Sequence, residues 1–196
     1  MSIWQAQLVG GHPALDFLNS VSHWTIPATR EYLGEPGDAL AYGVATGILS
    51  EGDAAELGPH MGEAELGELH AFRARLQRVV SALASGSAAP ADDLARLSAD
   101  HSAAIAASAL READGRLAIE VTQDAASATV LRHRVVLQAI GLLTSAEMSK
   151  VKSCPACGWY FLDTSRNHSR RWCSMAVCGN SEKARRYYRK TRSKAG

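Results

Sequence analysis

The 196-residue sequence contains four cysteines, Cys154, Cys157, Cys173 and Cys178, and all of them fall in one short stretch near its end. They are spaced C-x2-C, then fifteen residues, then C-x4-C. Thiolates are good zinc donors, and two cysteines separated by two residues can turn both sulfurs toward one ion. Gly158, directly after the first pair, lets the backbone fold back tightly. A second pair after a hairpin-length insert would complete a tetrahedron. Four thiolates leave no open coordination position, so the pattern predicts a structural zinc ion and not a catalytic one. Two disulfides, a redox dithiol or unrelated buried cysteines are the competing readings. The N-terminal residues lack the pattern of an export signal, which disfavours disulfides, and a redox dithiol would leave the second pair unexplained. His168 is a substitute ligand in principle, but four thiols make it unnecessary.

Basic and aromatic residues are interleaved with these cysteines. Arg166, Asn167, Arg170 and Arg171 lie on the insert, and Lys183, Arg185, Arg186, Arg189, Lys190 and Arg192 follow the last cysteine. Asn180 or Ser181 is placed to cap a helix running to about Thr191. On that helix Lys183, Arg186 and Lys190 form one row, with Arg185, Arg189 and Arg192 beside it. These rows are expected to meet phosphates, whereas Arg166, Asn167 and Asn180 are of types that pair bidentately with guanine or adenine. Trp159, Phe161 and Trp172 are expected to form a miniature core. Tyr187 and Tyr188 either pack on the module or stack on a base.

The run Cys154-Pro155-Ala156-Cys157-Gly158-Trp159, then Phe161-Leu162-Asp163-Thr164-Ser165-Arg166-Asn167, then Arg170-Arg171-Trp172-Cys173-Ser174-Met175 and Cys178-Gly179-Asn180, resembles the CGNR zinc finger. Ser181 stands where that family's name has its arginine, which leaves the ligands untouched but removes any contact an arginine would make there. Ahead of the finger, Ala14-Leu15-Asp16-Phe17-Leu18-Asn19-Ser20 is similar to the Leu-Asp-Phe-x-Asn signature of ABATE-type domains. The two resemblances together imply a stress-related transcription regulator with an N-terminal sensing or interaction domain and a C-terminal DNA-binding finger.

The elements that must position this module read as an α+β arrangement, a mostly helical body with a small β-hairpin. Pro13 opens a helix over 13–21, and residues 22–37, with two prolines and two glycines, read as loop. Asp38 is expected to cap a short helix carrying Leu40, Val44 and Leu49. The clearest amphipathic stretch is 63–84, where Leu66, Leu69, Phe72, Leu76, Val79, Val80 and Leu83 recur at helical steps. Another helix is expected over 91–107. Two strands at 108–112 and 116–122 flank Asp114-Gly115, a two-residue hairpin signal. A long helix over 125–150 would then be the central packed element. His12, Asp16 and Asn19 or Ser20 fall near one face of the first helix. They are either polar anchors of a ligand pocket or a cluster satisfied by neighbouring backbone.

Bulk charge supports the division into a body, 1–149, and a finger with its basic helix, 150–196. The body carries 9 Lys/Arg against 18 Asp/Glu and the finger 12 against 2, behind a net charge of only +1. Such asymmetry suggests an acidic body and a basic contact surface for DNA, with RNA or an acidic protein as competing partners. The strongest apolar run, 135–143, is too short to span a bilayer, so no membrane contact and a cytoplasmic location are expected. A homo-oligomer is left open. No phosphate loop, dinucleotide glycine fingerprint, nucleophile elbow or metalloprotease helix motif occurs, which argues against an enzyme.

Overall fold

A computed structural model describes residues 8–24, 30–113, 115–122, 127 and 129–192. Seven helices and two antiparallel hairpins follow one another along the described residues: α1 (Pro13–Leu18), α2 (Pro36–Ala45), α3 (Glu51–Leu57), α4 (Glu63–Ala84), α5 (Ala91–Ala106), β1 (Ser108–Ala113), β2 (Arg116–Val121), α6 (Thr129–Thr144), β3 (Val151–Ser153), β4 (Tyr160–Leu162) and α7 (Asn180–Arg192). The architecture is the expected α+β one, helical with two small hairpins.

α1 is short and almost wholly buried. His12 caps it, its Nδ1 accepting from the Ala14 N–H, and Pro13 occupies the first turn, where a missing N–H costs nothing. It stops at Leu18, three residues before the expected end, because the next side chains bond elsewhere. The Ser20 hydroxyl donates to the Phe17 carbonyl, and Val21 leaves the helix to bridge Glu31. α2 starts earlier than expected. Pro36 sits in its first turn, so Asp38 is the third helical residue and not the cap. Its carboxylate accepts from the Gly34 and Glu35 N–H groups instead. Leu49 lies beyond this helix but is still buried.

α4 spans the predicted residues and buries Leu66, Leu69, Phe72, Leu76, Val79 and Val80, while Leu83 at its far end is exposed. α6 packs against α1, α4 and α5 through Val130, Leu131, Val135, Val136, Ala139 and Leu142. It is shorter than expected. The helix ends at Thr144, and Ser145 caps a separate 3-10 turn (Ala146–Lys150) that reverses the chain into β3. Of the expected start, 125, 126 and 128 lie outside the described residues.

The main core does not stop at residue 149. Val151, Tyr160 and Leu162 belong to the cluster that holds Phe17, Tyr42 and Phe72, so the β3–β4 hairpin closes the body. Backbone bonds fasten the junction. The Asn19 amide donates to the Tyr160 carbonyl (2.8 Å) and accepts from the Tyr160 N–H (2.9 Å), acting as an extra strand residue beside β4. Leu162 N–H donates to the Gly10 carbonyl at 2.7 Å, and the Trp159 indole donates to the Val21 carbonyl at 2.6 Å. Gly10 must be glycine here, since a Cβ would come within 2.8 Å of the Leu15 side chain and 2.9 Å of Asp16.

Two predictions follow from this junction. Asn19→Ala removes both partners of a buried peptide group, and each group left unpaired costs about 1–3 kcal/mol. Urea denaturation of the full chain should therefore show a loss of roughly 2–4 kcal/mol, and an unchanged midpoint would refute the pairing. Asp16 is buried, and desolvation pushes its carboxyl up to about 6 although the Gly10 and Val9 N–H groups pull the other way. The folded chain then binds a proton more tightly than the unfolded one, so this group's contribution is complete at low pH and is lost as pH rises from about 4 to about 6. Asp16→Asn removes that titration. The stability difference between Asp16→Asn and wild type should shift in the variant's favour by on the order of 2–3 kcal/mol across that window, as read by denaturation at a series of pH values.

Candidate metal centre and nucleic-acid interface

The first cysteine pair sits in the turn between β3 and β4. Gly158 adopts a left-handed φ of 79°, which lets its N–H donate to the Cys154 carbonyl while the Cys154 N–H donates to the Trp159 carbonyl, each at 2.8 Å. A side chain at Gly158 would strain this knuckle. The second pair spans a π-helical turn (Met175–Gly179) that runs directly into α7. Ser174 caps it, its hydroxyl accepting from the Val177 N–H, so Ser174 performs the capping role expected of Asn180 or Ser181. The Asn180 amide instead donates to the Ala176 carbonyl at 3.2 Å, inside an already continuous helical stretch.

These two turns bring four sulfurs within 4.8 Å of one another. The Cys157–Cys173, Cys173–Cys178 and Cys178–Cys157 separations are 3.6, 3.6 and 3.7 Å. A tetrahedron with Zn–S arms of about 2.3 Å has edges of about 3.8 Å, so the donor set fits zinc. The thiols are otherwise a poor arrangement. Hydrogen bonds from its neighbours pull the Cys154 thiol far below its ordinary range, and the Cys154 partner pushes Cys157 up to about 12. Cys154, Cys157, Cys173 and Cys178 would hold one zinc ion between the two turns, and four thiolate donors would leave no coordination position open. His168 stays outside the cluster, exposed, with Nδ1 3.1 Å from the Asp163 carbonyl.

The insert between the pairs is organised by two charged residues. Asp163 is fully buried and accepts from the Ser165 N–H and hydroxyl, the Arg170 N–H and the Lys152 ammonium. The Arg170 guanidinium lies 4.5 Å over the Phe161 ring and donates to the carbonyls of Trp172, Val9 and Cys173. Among the residues expected to meet phosphates, Arg170 is thus already committed to tying the insert to the body. Phe161, Trp159 and Trp172 pack with the cysteines as the module's own small core.

The other basic candidates face outward. Arg166 and Asn167 are exposed on the turn after β4, and Arg171 stacks 4.8 Å over the Trp172 ring. Lys183, Arg185, Arg186 and Arg189 are exposed on α7, and Lys190 lies on the same helix with its side chain outside the described residues. Arg171, Lys183, Arg186 and Arg189 line one groove of about 300 Å³, with Trp172 at its wall. Glu182 also lines it and pairs with Arg189 (3.1 Å) and Arg185 (3.7 Å). His12, Asp16 and Asn19 are not among the residues that line this groove. Each is engaged by backbone, His12 with Ala14, Asp16 with Gly10 and Asn19 with Tyr160. The Asn19–Tyr160 pairing, the commitment of Arg170 and the Ser174 cap were missed by sequence reasoning. Of these, only Ser174, three residues before Val177, carried a local signal.

Comparison with protein families agrees with this geometry. Residues 11–146 match the ABATE model, described as "Putative stress-induced transcription regulator", over more than half of the chain. The chain belongs to the ABATE family. Residues 150–191 match the CGNR zinc finger model, so the metal centre is that of a CGNR finger following an ABATE domain. No curated protein matches the chain. Both descriptions name a zinc finger or a transcription regulator and neither names an enzyme. No described helix of this ABATE chain is long and apolar enough to cross a membrane.

The metal centre predicts that purified protein carries one zinc ion per chain, measured by elemental analysis. Cys157→Ser should lose the metal and expose the remaining thiols to alkylating reagents. Structural zinc contributes about 10–16 kcal/mol in finger peptides, and the β3–β4 hairpin belongs to the main core. Chelation should therefore lower the melting temperature of the whole chain, and an unaltered melting curve would refute the coupling.

Proposed function

We propose that this protein is a DNA-binding transcription regulator, in which residues 150–196 form the DNA-contacting finger and residues 1–149 a sensing or interaction body. The observation that carries this reading is the groove where Arg171 from the insert meets Lys183, Arg186 and Arg189 of α7. Two separate chain segments converge their cations there, and the metal fixes the distance between them. Such a seat suits successive phosphates of a nucleic-acid backbone. Arg185 extends the surface along the helix, and Lys190 is a further basic residue of the same helix. Arg166 and Asn167, exposed on the neighbouring turn, are of types that pair with base edges. Arg170 belongs to the scaffold in this reading, and a serine at 181 leaves the first turn of α7 without an additional cation. The acidic body disfavours non-productive contacts with the same polyanion, which confines binding to the finger.

The test is a salt titration of binding by the zinc-loaded full chain. With four or five phosphates neutralised, log K against log salt on duplex DNA should slope at roughly −4, from about −0.9 per phosphate. Lys183→Ala or Arg186→Ala should weaken binding to all sequences and flatten the slope by about one. Glu182→Gln, which frees Arg185 and Arg189, should tighten it. Arg166→Ala or Asn167→Ala should change preference among sequences instead. Tighter binding to single-stranded or structured RNA than to duplex DNA would shift the assignment to an RNA-binding factor. No salt-sensitive binding to either would leave the basic surface to an acidic protein partner.

A further inference from the structure

The β1–β2 hairpin takes no part in the metal centre or the basic groove. Its register pairs Leu110 with Ile119, Glu112 with Leu117 and Ser108 with Val121, which places these side chains on one face. Val121 is buried against the body, but Leu110, Leu117 and Ile119 are 67%, 70% and 53% exposed. Three large apolar side chains on a protruding hairpin are an unusual use of solvent-facing surface. Two strands alone are marginal in water, and among the described residues neither outer edge of this sheet is paired. The β2 edge reads Arg116-Leu117-Ala118-Ile119-Glu120-Val121, with no lysine or proline of the kind that guards an exposed edge.

We propose that β2 pairs antiparallel with β2 of a second copy of this chain, about a two-fold axis through Ala118, giving a four-stranded β1-β2-β2-β1 sheet. The charge pattern selects the partner and the register. With Ala118 on the axis, Arg116 lies across from Glu120 of the second copy, and Leu117 across from its Ile119, each pair occurring twice. Centring on Leu117 or Ile119 sets one of the charged residues against Ala118 and loses both ion pairs. The β1 edge offers no equivalent. An axis at Arg111 opposes two guanidinium groups, and one at Leu110 opposes Arg111 with Ala109. Glu120 already lies 3.4 Å from Arg111 of its own hairpin, both exposed, so the second copy's Arg116 completes an Arg–Glu–Arg arrangement across the joined sheet. A two-fold axis normal to the sheet keeps Leu110, Leu117 and Ile119 of both copies on the same face, which merges two exposed patches into one continuous apolar surface.

The experiment uses zinc-loaded full-length protein in sedimentation equilibrium and light scattering. Wild type should be a dimer. Arg116→Glu and Glu120→Arg should each weaken dimerisation at least tenfold, and the double exchange should restore it, because the pair is reformed with its signs reversed. Ala118→Cys, on the axis, should cross-link to a covalent dimer under mild oxidation, whereas Ala109→Cys on β1 should not. These are exposed positions, and circular dichroism of each variant checks that the fold is retained. A wild-type monomer at high protein concentration would overturn the proposal. A dimer indifferent to Arg116→Glu and lacking the Ala118→Cys cross-link would overturn it equally.

Discussion

Four sulfurs held within 4.8 Å of one another repel as thiolates unless a cation sits among them, and much of this structure depends on that constraint. An ion held by them would join a knuckle between two strands to a turn at the root of α7. Neither segment has enough apolar surface to hold the other: the finger's own core is little more than Phe161, packed with the cysteines and flanked by Trp159 and Trp172. A zinc ion held there would bind Cys173, two residues after Arg171, and Cys178, two residues before α7, and so help to fix the basic helix relative to Arg171.

The same constraint reaches into the body through β3 and β4. The short hairpin contributes Val151, Tyr160 and Leu162 to the main core on one side and the first cysteine pair on the other. Asn19 clamps Tyr160 through both backbone groups, and Arg170 reaches back to the Val9 carbonyl. Body and finger are thus mechanically continuous although their sequences match separate family models. A change in the packing around α1 would be felt at the knuckle one strand away.

Charge is distributed along the same division. The excess of acidic residues before 150 and of basic residues after it leaves a nearly neutral whole with a strongly polarised surface. Within the basic part, cations differ in duty according to their surroundings. Arg170 is saturated by carbonyls and an aromatic face, Lys152 is held by buried Asp163, and Arg185 and Arg189 share Glu182. Lys183 and Arg186 face the groove.

The sequence alone determined the ligand set, the α+β class, the extent of α4 and the register signal of the β1–β2 turn, because each rests on local spacing. Cysteine pairs within a few residues, a helical stripe over 63–84 and a Gly after Asp114 are all read without reference to distant residues. The sequence placed the ends of α1 and α6 and both bounds of α2 less well, since capping by Ser145 or a Pro in a first turn competes with periodicity over a few residues. Tertiary structure decided what Asn19, Asp16 and Arg170 do. Their polarity left a ligand pocket, a cluster satisfied by backbone or a phosphate contact open, and burial decides among such readings. A polar group removed from water must find a partner, and the nearest unpaired ones were the backbone groups of Tyr160, Gly10 and the loop around Cys173. Asn19 and Tyr160 are 141 residues apart along the chain, and Arg170 and the Val9 carbonyl 161, separations that no local pattern can reveal.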